Sequence, residues 1–569
     1  GQSPFLNVFP DSRVQQTLKL MSKPPDTRVT TEIGREICQR NGIKAMITGS
    51  IAGLGSQYVI TLDAVNGATG DTLAETQGQA GKKEQVLSAL GEATAKLRGK
   101  LGESLSSIQK FDKPLAEATT SSLEALQAFT RGEELFNKGE ELESGSFYKH
   151  AVELDPNFAL AYARLGTVYL NLGQQELQDQ YMQKAFELKD RASEHEKLYI
   201  TAHYYDDSGQ IEKGIETYEL YKQTYPQDMV PWNNLANEYG QLGQYDKALE
   251  NAKEAMRLAP DVVNPYWLSA SAFMGMNRPD EAKAILQAAL ARNLKATLIY
   301  FQLSQIALVQ GDLAEKKKVD ALASATEEGQ GRVIFRDARL AASQGKLREA
   351  DDLFRRGQDL YARINLKDES ASQSAFQGAV EALFGERQRA LQHAEAALTF
   401  SQSPDVKLLV ACALAFAGED SKAQTLATAA AKSRPQDTRA QSVALPAAQA
   451  ITLMNHSNAA KAIELLDHAK PYDRAEAIAR YVRASAYLRA GQADSAIQEF
   501  QAIVAMNNQA PANPFVSLAR VGLAQAYALQ GDREKARGAY QDVLAVWKDA
   551  DTDLPLLKEA RTEYAKLQP

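Results

Sequence analysis

Few side chains in this sequence have the types and spacing that chemistry needs. Asp549, Asp551 and Asp553 alternate like the first ligands of a calcium loop. Leu554 stands where such a loop needs Gly for its turn, and Ala560 stands where it needs a bidentate Glu. An exposed acidic loop between helices is therefore expected. A phosphate cradle at Gly81-Lys82 fails as well: Thr76 replaces the first Gly, and Lys83 replaces the hydroxyl that would hold magnesium. Gly49, Gly53 and Gly55 lie between two strand-like runs rather than between a strand and a helix, so they read as turn glycines and not as a dinucleotide fingerprint. His195 and His203 are eight residues apart with no HExxH frame and no cysteine partner, so no metal is expected. HRD, DFG and VAIK motifs are missing, and no G-x-S-x-G elbow marks a nucleophile. No catalytic residues are expected, and no cofactor.

The elements that would position any site follow from composition and period. The chain has 569 residues, 44% hydrophobic and 24% charged, which is too many for one compact globule. Its net charge is −8 with no Lys/Arg block, so a nucleic-acid partner is not expected. No apolar run approaches the roughly 18 residues of a membrane span, so any membrane contact is expected through a segment outside this chain. Cys38 and Cys412 read as two small buried residues rather than a disulfide.

A period of 34 residues organises most of the sequence. Pro226 and Pro260 close successive helices, with Trp232, Leu235, Ala236, Tyr239, Gly243, Tyr245, Ala248, Ala252 and Ala255 between them. The same frame starts at residues 125, 159, 195, 229, 263, 297 and 331, slips near 365, and resumes through residues 385–435, a weaker unit at 438–471, and units ending near 540. This pattern resembles the tetratricopeptide repeat, in which two antiparallel helices approach closely over small side chains. It predicts a mainly α chain, a right-handed tetratricopeptide (TPR) α-solenoid of about twelve repeats over 123–550, closed by a capping helix at 551–569.

Residues 1–108 read as a small α+β domain, followed by a linker at 109–122. Phe5–Phe9 is a strand candidate, and Val14–Met21 and Thr31–Asn41 have helical spacing. Ala45–Ile51, Tyr58–Val65 and Thr72–Gln77 are strands joined by glycine turns, and Glu84–Leu105 reads as one long helix. Residues 33–38, 45–51 and 58–70 (YVITLDAVNGATG) resemble the TolB N-terminal-like domain. That domain's opening strand and helix would precede Phe5, so the domain is expected to be truncated at its start. Joined to such repeats, it is similar to the extracytoplasmic half of acidobacterial-type serine/threonine kinases. The resemblance implies a sensory, partner-binding role on the extracytoplasmic side of a bacterial membrane. A stand-alone scaffold for an envelope or secretion complex, and a cytoplasmic location, are the alternatives.

The tetratricopeptide resemblance also implies where a protein or peptide ligand would bind. The first helix of each repeat lines a concave groove, with Phe129, Tyr199, Trp267, Phe301, Phe335 and Tyr481 at one facing position. His203, Asn237, Gln305, Arg339 and Gln525 fall at another. Tyr199, His203, Asn233, Asn237, Trp267, Phe301, Phe335 and Arg339 are the expected contact residues. A clamp for a terminal carboxylate is incomplete around Asn234 and Asn237, because Tyr199, His203, Asn264 and Leu268 stand where Lys or Arg is needed.

Overall fold

The computed structural model describes residues 2–9, 11–24, 27–55, 57–114, 119–136, 140–472, 477–506 and 511–568. It divides into two compact units: residues 1–207 with 212–231, and residues 208–211 with 232–569.

In the first unit, strands β1 (Ala45–Leu54), β2 (Gln57–Asn66) and β3 (Thr72–Ala80) form an antiparallel sheet in the order β1-β2-β3. Ile51 pairs with Ile60 and Leu62 with Thr76, and the second ladder slips at Ala64/Val65. The alternation of β3 puts Ala74, Thr76 and Ala80 on the buried face, where helix Val86–Lys100 covers them with Ala89, Ala93 and Leu97. Gly78 allows the closest approach: a Cβ there would lie 2.4 Å from the Ala89 carbonyl oxygen. Thr76 donates its hydroxyl to the Ala93 carbonyl at 3.0 Å.

Two local expectations fail here. Phe5–Phe9 is not a strand: the Ser3 hydroxyl accepts from the Phe5 and Leu6 amides and bends the chain, so the sheet has three strands among the described residues. The helix expected over Glu84–Leu105 ends at Lys100, where Gly102 takes φ +101. Ser104 then caps a separate helix, Leu105–Phe111, by accepting from the Ser107 amide. The buried Arg98 holds this corner, with two hydrogen bonds to Glu103 at 2.8 Å each and one to Asp112 at 2.8 Å.

Helical pairs occupy the rest of this unit and the whole of the second. Among the described residues twelve pairs follow one another from Leu123–Phe136 with Glu141–Leu154 to Pro514–Gln530 with Arg533–Val546, and a single helix, Pro555–Lys566, comes last. Left-handed glycines, from Gly173 and Gly243 through Gly531, end the first helix of most pairs, and Asn277 and Ser457 do the same work in two others. Most helices have 13 or 14 residues, but the consecutive helices Glu327–Ser343, Leu347–Arg363 and Lys367–Leu383 have 17 each, as does Pro514–Gln530 later in the chain. This extra turn is why the 34-residue frame slips near 365. The weak unit at 438–471 opens on a π-helical turn, Ala440–Ala444, just before Pro446, which lacks the N–H that an α-helical ladder would use.

In the second unit the array folds back on itself. One core joins Phe335, Phe354, Tyr361 and Phe384 to Phe515, Leu518, Tyr540, Val543, Trp547 and Leu557. The loop expected to be exposed and acidic is part of this closure. Asp551 accepts from the Arg348 amide at 2.9 Å, capping the helix Leu347–Arg363, and Asp553 pairs with the Arg348 guanidinium at 2.6 Å.

Candidate functional site

Each unit holds its own share of the expected contact residues. In the first, Tyr199 and His203 sit one turn apart on helix Glu194–Asp207, with ring centroids 4.2 Å apart. Arg164 donates to the Tyr199 hydroxyl at 3.0 Å and pairs with Glu133, which also accepts from Tyr148. Burial, and then the charge of Arg164, pull the His203 pKa down to about 4, so the ring is neutral near pH 7. Its Nε2 is buried with no hydrogen-bond partner. Phe129, 9% exposed, belongs to the core with Tyr148 and Phe158.

In the second unit, Asn233 accepts from Asn264 at 3.2 Å and donates to Asn234 at 3.1 Å, and Asn237 donates to Glu238. Trp267 leans on Ala236, Ala252 and Leu268. Tyr481 packs edge-on against Phe500 and Phe515, and Gln525 donates to Glu559.

Phe301, Gln305, Phe335 and Arg339 come together. They line a cavity of about 330 Å³ walled by helices Thr297–Val309, Glu327–Ser343 and Lys367–Leu383. Its far wall is Ala477, Ile478, Ala512, Asn513 and Phe515, supplied by chain more than a hundred residues later. Phe335 is only 4% exposed: it packs on Phe354 and Tyr361, and a Cβ on Gly357 would lie 2.6 Å from its ring. It is mainly a core ring with an edge at the cavity.

Three arginines face this space from one helix. Positions 332, 336 and 339 are one turn apart in succession, so they form a stripe about 10 Å long. Arg332 pairs with Glu328 at 2.8 Å. Arg336 pairs with Asp320 at 2.8 Å and Asp337 at 2.7 Å. Burial would push the Asp320 carboxyl up, but hydrogen bonds from Arg336, Lys316 and Ser304 outweigh it and hold the carboxyl low. Arg339 is held differently, by Gln373 Oε1 at 3.2 and 3.0 Å and by the face of Phe376, 4.4 Å away. Of these three arginines only Arg339 was singled out from the sequence; the roles of Arg332, Arg336, Gln373, Phe376 and Phe515 came from the structure.

A second polar cluster was not foreseen. Asp351, Glu381 and His393 bring donor atoms within 4.8 Å of one another. Glu381 faces His393 Nδ1 at 2.6 Å and Asp351 faces Nε2 at 3.3 Å, while Arg389 reaches Glu381 at 3.1 Å. Burial opposes the histidine's charge, but its hydrogen bonds to the two carboxylates outweigh it and raise the pKa to about 9. An imidazolium and a guanidinium therefore fill the space between the carboxylates where a cation could sit.

Models of the tetratricopeptide repeat match residues 147–180, 231–262, 268–315 and 474–549. The chain carries tetratricopeptide repeats. Proteins built on such repeats are generally protein-interaction scaffolds. No curated protein matches the chain. Among solved structures it is similar to yeast Tom70 (16% identity, 78% of this chain and 95% of that one, TM-score 0.28). It is also similar to PilW, a type IV pilus biogenesis factor (15% identity, 37% and 98%, TM-score 0.30). A tetratricopeptide repeat protein from Parabacteroides merdae matches at 14% identity over 52% and 100%, with a TM-score of 0.29. Likeness at this level says nothing of what these repeats bind. No helix of the described residues is long and apolar enough to cross a membrane.

Proposed function

We propose that this chain is a non-catalytic scaffold that takes a protein segment into the groove of its second unit. The observation that supports this is the cavity among Phe301, Gln305, Arg339, Gln373 and Phe376, where aromatic faces and hydrogen-bonding groups stand together on successive repeats. Aromatic and arginine anchors in desolvated pockets carry most binding energy in protein interfaces. The test is a displayed peptide library selected on the full chain, followed by affinities on a variant. Phe301→Ala should cost the selected peptides about 2 kcal/mol or more, close to thirtyfold. Peptides that bind the variant as well as the parent would show that the groove is elsewhere.

The likeness of residues 33–70 to a TolB N-terminal-like domain supports a finer reading: the sensory, extracytoplasmic part of a membrane-anchored bacterial serine/threonine kinase. The rival is a free-standing adaptor of an envelope or secretion complex. The parent gene decides between them: a span of about 20 apolar residues preceded by kinase motifs fits only the first. The chain alone should transfer no phosphate. Magnesium-dependent ATP hydrolysis well above a mock preparation would contradict both readings.

A further inference from the structure

The three cavity arginines differ in one respect that the fold does not require. Arg332 and Arg336 each have a carboxylate partner, but none of the described residues places a carboxylate within ion-pair distance of Arg339. Its Nε and Nη2 share the single oxygen Oε1 of Gln373, whose amide nitrogen in turn donates to Glu369 at 2.8 Å. Nη1 has no protein acceptor among the described residues, and Arg339 lines the cavity. Burial lowers the pKa of this guanidinium, and only the more distant charge of Glu369 opposes the shift. A half-buried guanidinium held only by a neutral amide lacks a direct counter-charge, and a carboxylate that meets its fork with two parallel hydrogen bonds would supply one. Glu369 also lines the cavity, one amide away from Arg339, so the site suits one carboxylate better than a dianionic phosphate. Phe301 and Phe376 line the same cavity and offer apolar surface beside Arg339.

We infer that the cavity binds an Asp or Glu side chain of the partner peptide, with the carboxylate on Arg339 and a neighbouring aromatic or branched side chain against Phe301 and Phe376. This deepens the groove reading and rests on it.

The full chain is titrated calorimetrically with acetyl-Asp-Phe-amide, acetyl-Asn-Phe-amide and acetyl-Phe with a free carboxylate. The Asp probe should bind at least tenfold more tightly than the Asn probe, and more tightly than the chain-terminal acid. In Arg339→Gln the Asp and Asn probes should bind alike. The melting temperature of the unliganded variant should equal or exceed the parent's, because a half-buried charge without a carboxylate partner has been removed. A purely structural arginine would instead lower it. Equal Asp and Asn binding in the parent overturns the inference, and so does a preference that survives Arg339→Gln. So does a clear fall in the unliganded variant's melting temperature, or tighter binding of the terminal acid. If library peptides lose affinity in Phe301→Ala but not in Arg339→Gln, the groove stands and only the carboxylate assignment falls.

Discussion

The indole N–H of Trp547 donates to the backbone carbonyl of Ser343 at 3.0 Å, across 204 residues of sequence. Trp547 is 1% exposed and packs against Phe384 and the backbone around Gly345, where a Cβ would lie 2.7 Å from Ala550. The contact holds the late repeats on the helices Glu327–Ser343 and Lys367–Leu383 and thereby keeps Phe515 opposite Arg339.

Truncating that anchor should loosen the closure first. Trp547→Ala is expected to cost about 3–5 kcal/mol, and Trp547→Phe about 1–3 kcal/mol through the stranded Ser343 carbonyl. Hydrogen exchange read by mass spectrometry should rise together in residues 327–363 and 514–566. A rise confined to residues 540–550 would mean that the two segments are not mutually dependent.

The His393 node has a worked-out pH dependence. Its pKa is raised to about 9, so its contribution is complete below the unfolded value near 6.5 and is lost as pH climbs through 9. Asp351, pulled down to about 2 chiefly by its hydrogen bond from His393, contributes fully above its unfolded value near 3.9 and fails as pH falls through 2. Melting temperatures of the parent should fall between pH 7 and 10 more steeply than those of His393→Gln. Parallel curves would show that the imidazolium is not the cause.

Acid should also attack the first unit at Arg98. A hydrogen bond from Arg98 chiefly, aided by Ser3 and Ser107, holds the Glu103 pKa near 2. Its contribution is therefore present above about 4.3, the unfolded value, and is lost as pH drops through 2. Glu103→Gln leaves a buried guanidinium short of its counter-charge and should cost about 3–5 kcal/mol at neutral pH. Denaturant unfolding followed through the helix Val86–Lys100 measures it.

Gly357 and Gly538 make a matched pair. A methyl at Gly357 would meet Phe335 at 2.6 Å, so Gly357→Ala should destabilise by about 1–3 kcal/mol and be partly rescued by Phe335→Leu. Gly538 has nothing within 4 Å of its Cβ position, so Gly538→Ala should stabilise helix Arg533–Val546 by about 0.5–1 kcal/mol. Thermal melts of the two variants should move in opposite directions.

The sequence by itself determined the helical pairs. Their signals are local: apolar residues every three or four positions, small residues such as Ala248 and Ala252 at the helix contact, and a left-handed glycine after the first helix. It also placed Phe301 and Arg339 on facing helix positions. It could not show that Phe335 would be spent on the core, because core and groove rings share the same periodicity. Phe5–Phe9 misled for a related reason: its apolar residues resemble a strand, while the bend comes from one hydroxyl at Ser3. Tertiary structure alone set the cavity's far wall at Ala477, Ala512 and Phe515, the docking of Asp551 on Arg348, and the ring of charge around His393. Such contacts depend on the rotation accumulated from one repeat to the next. An added turn in each of four helices changes that rotation, and no window of sequence short enough to show a period records where residue 547 will meet residue 343.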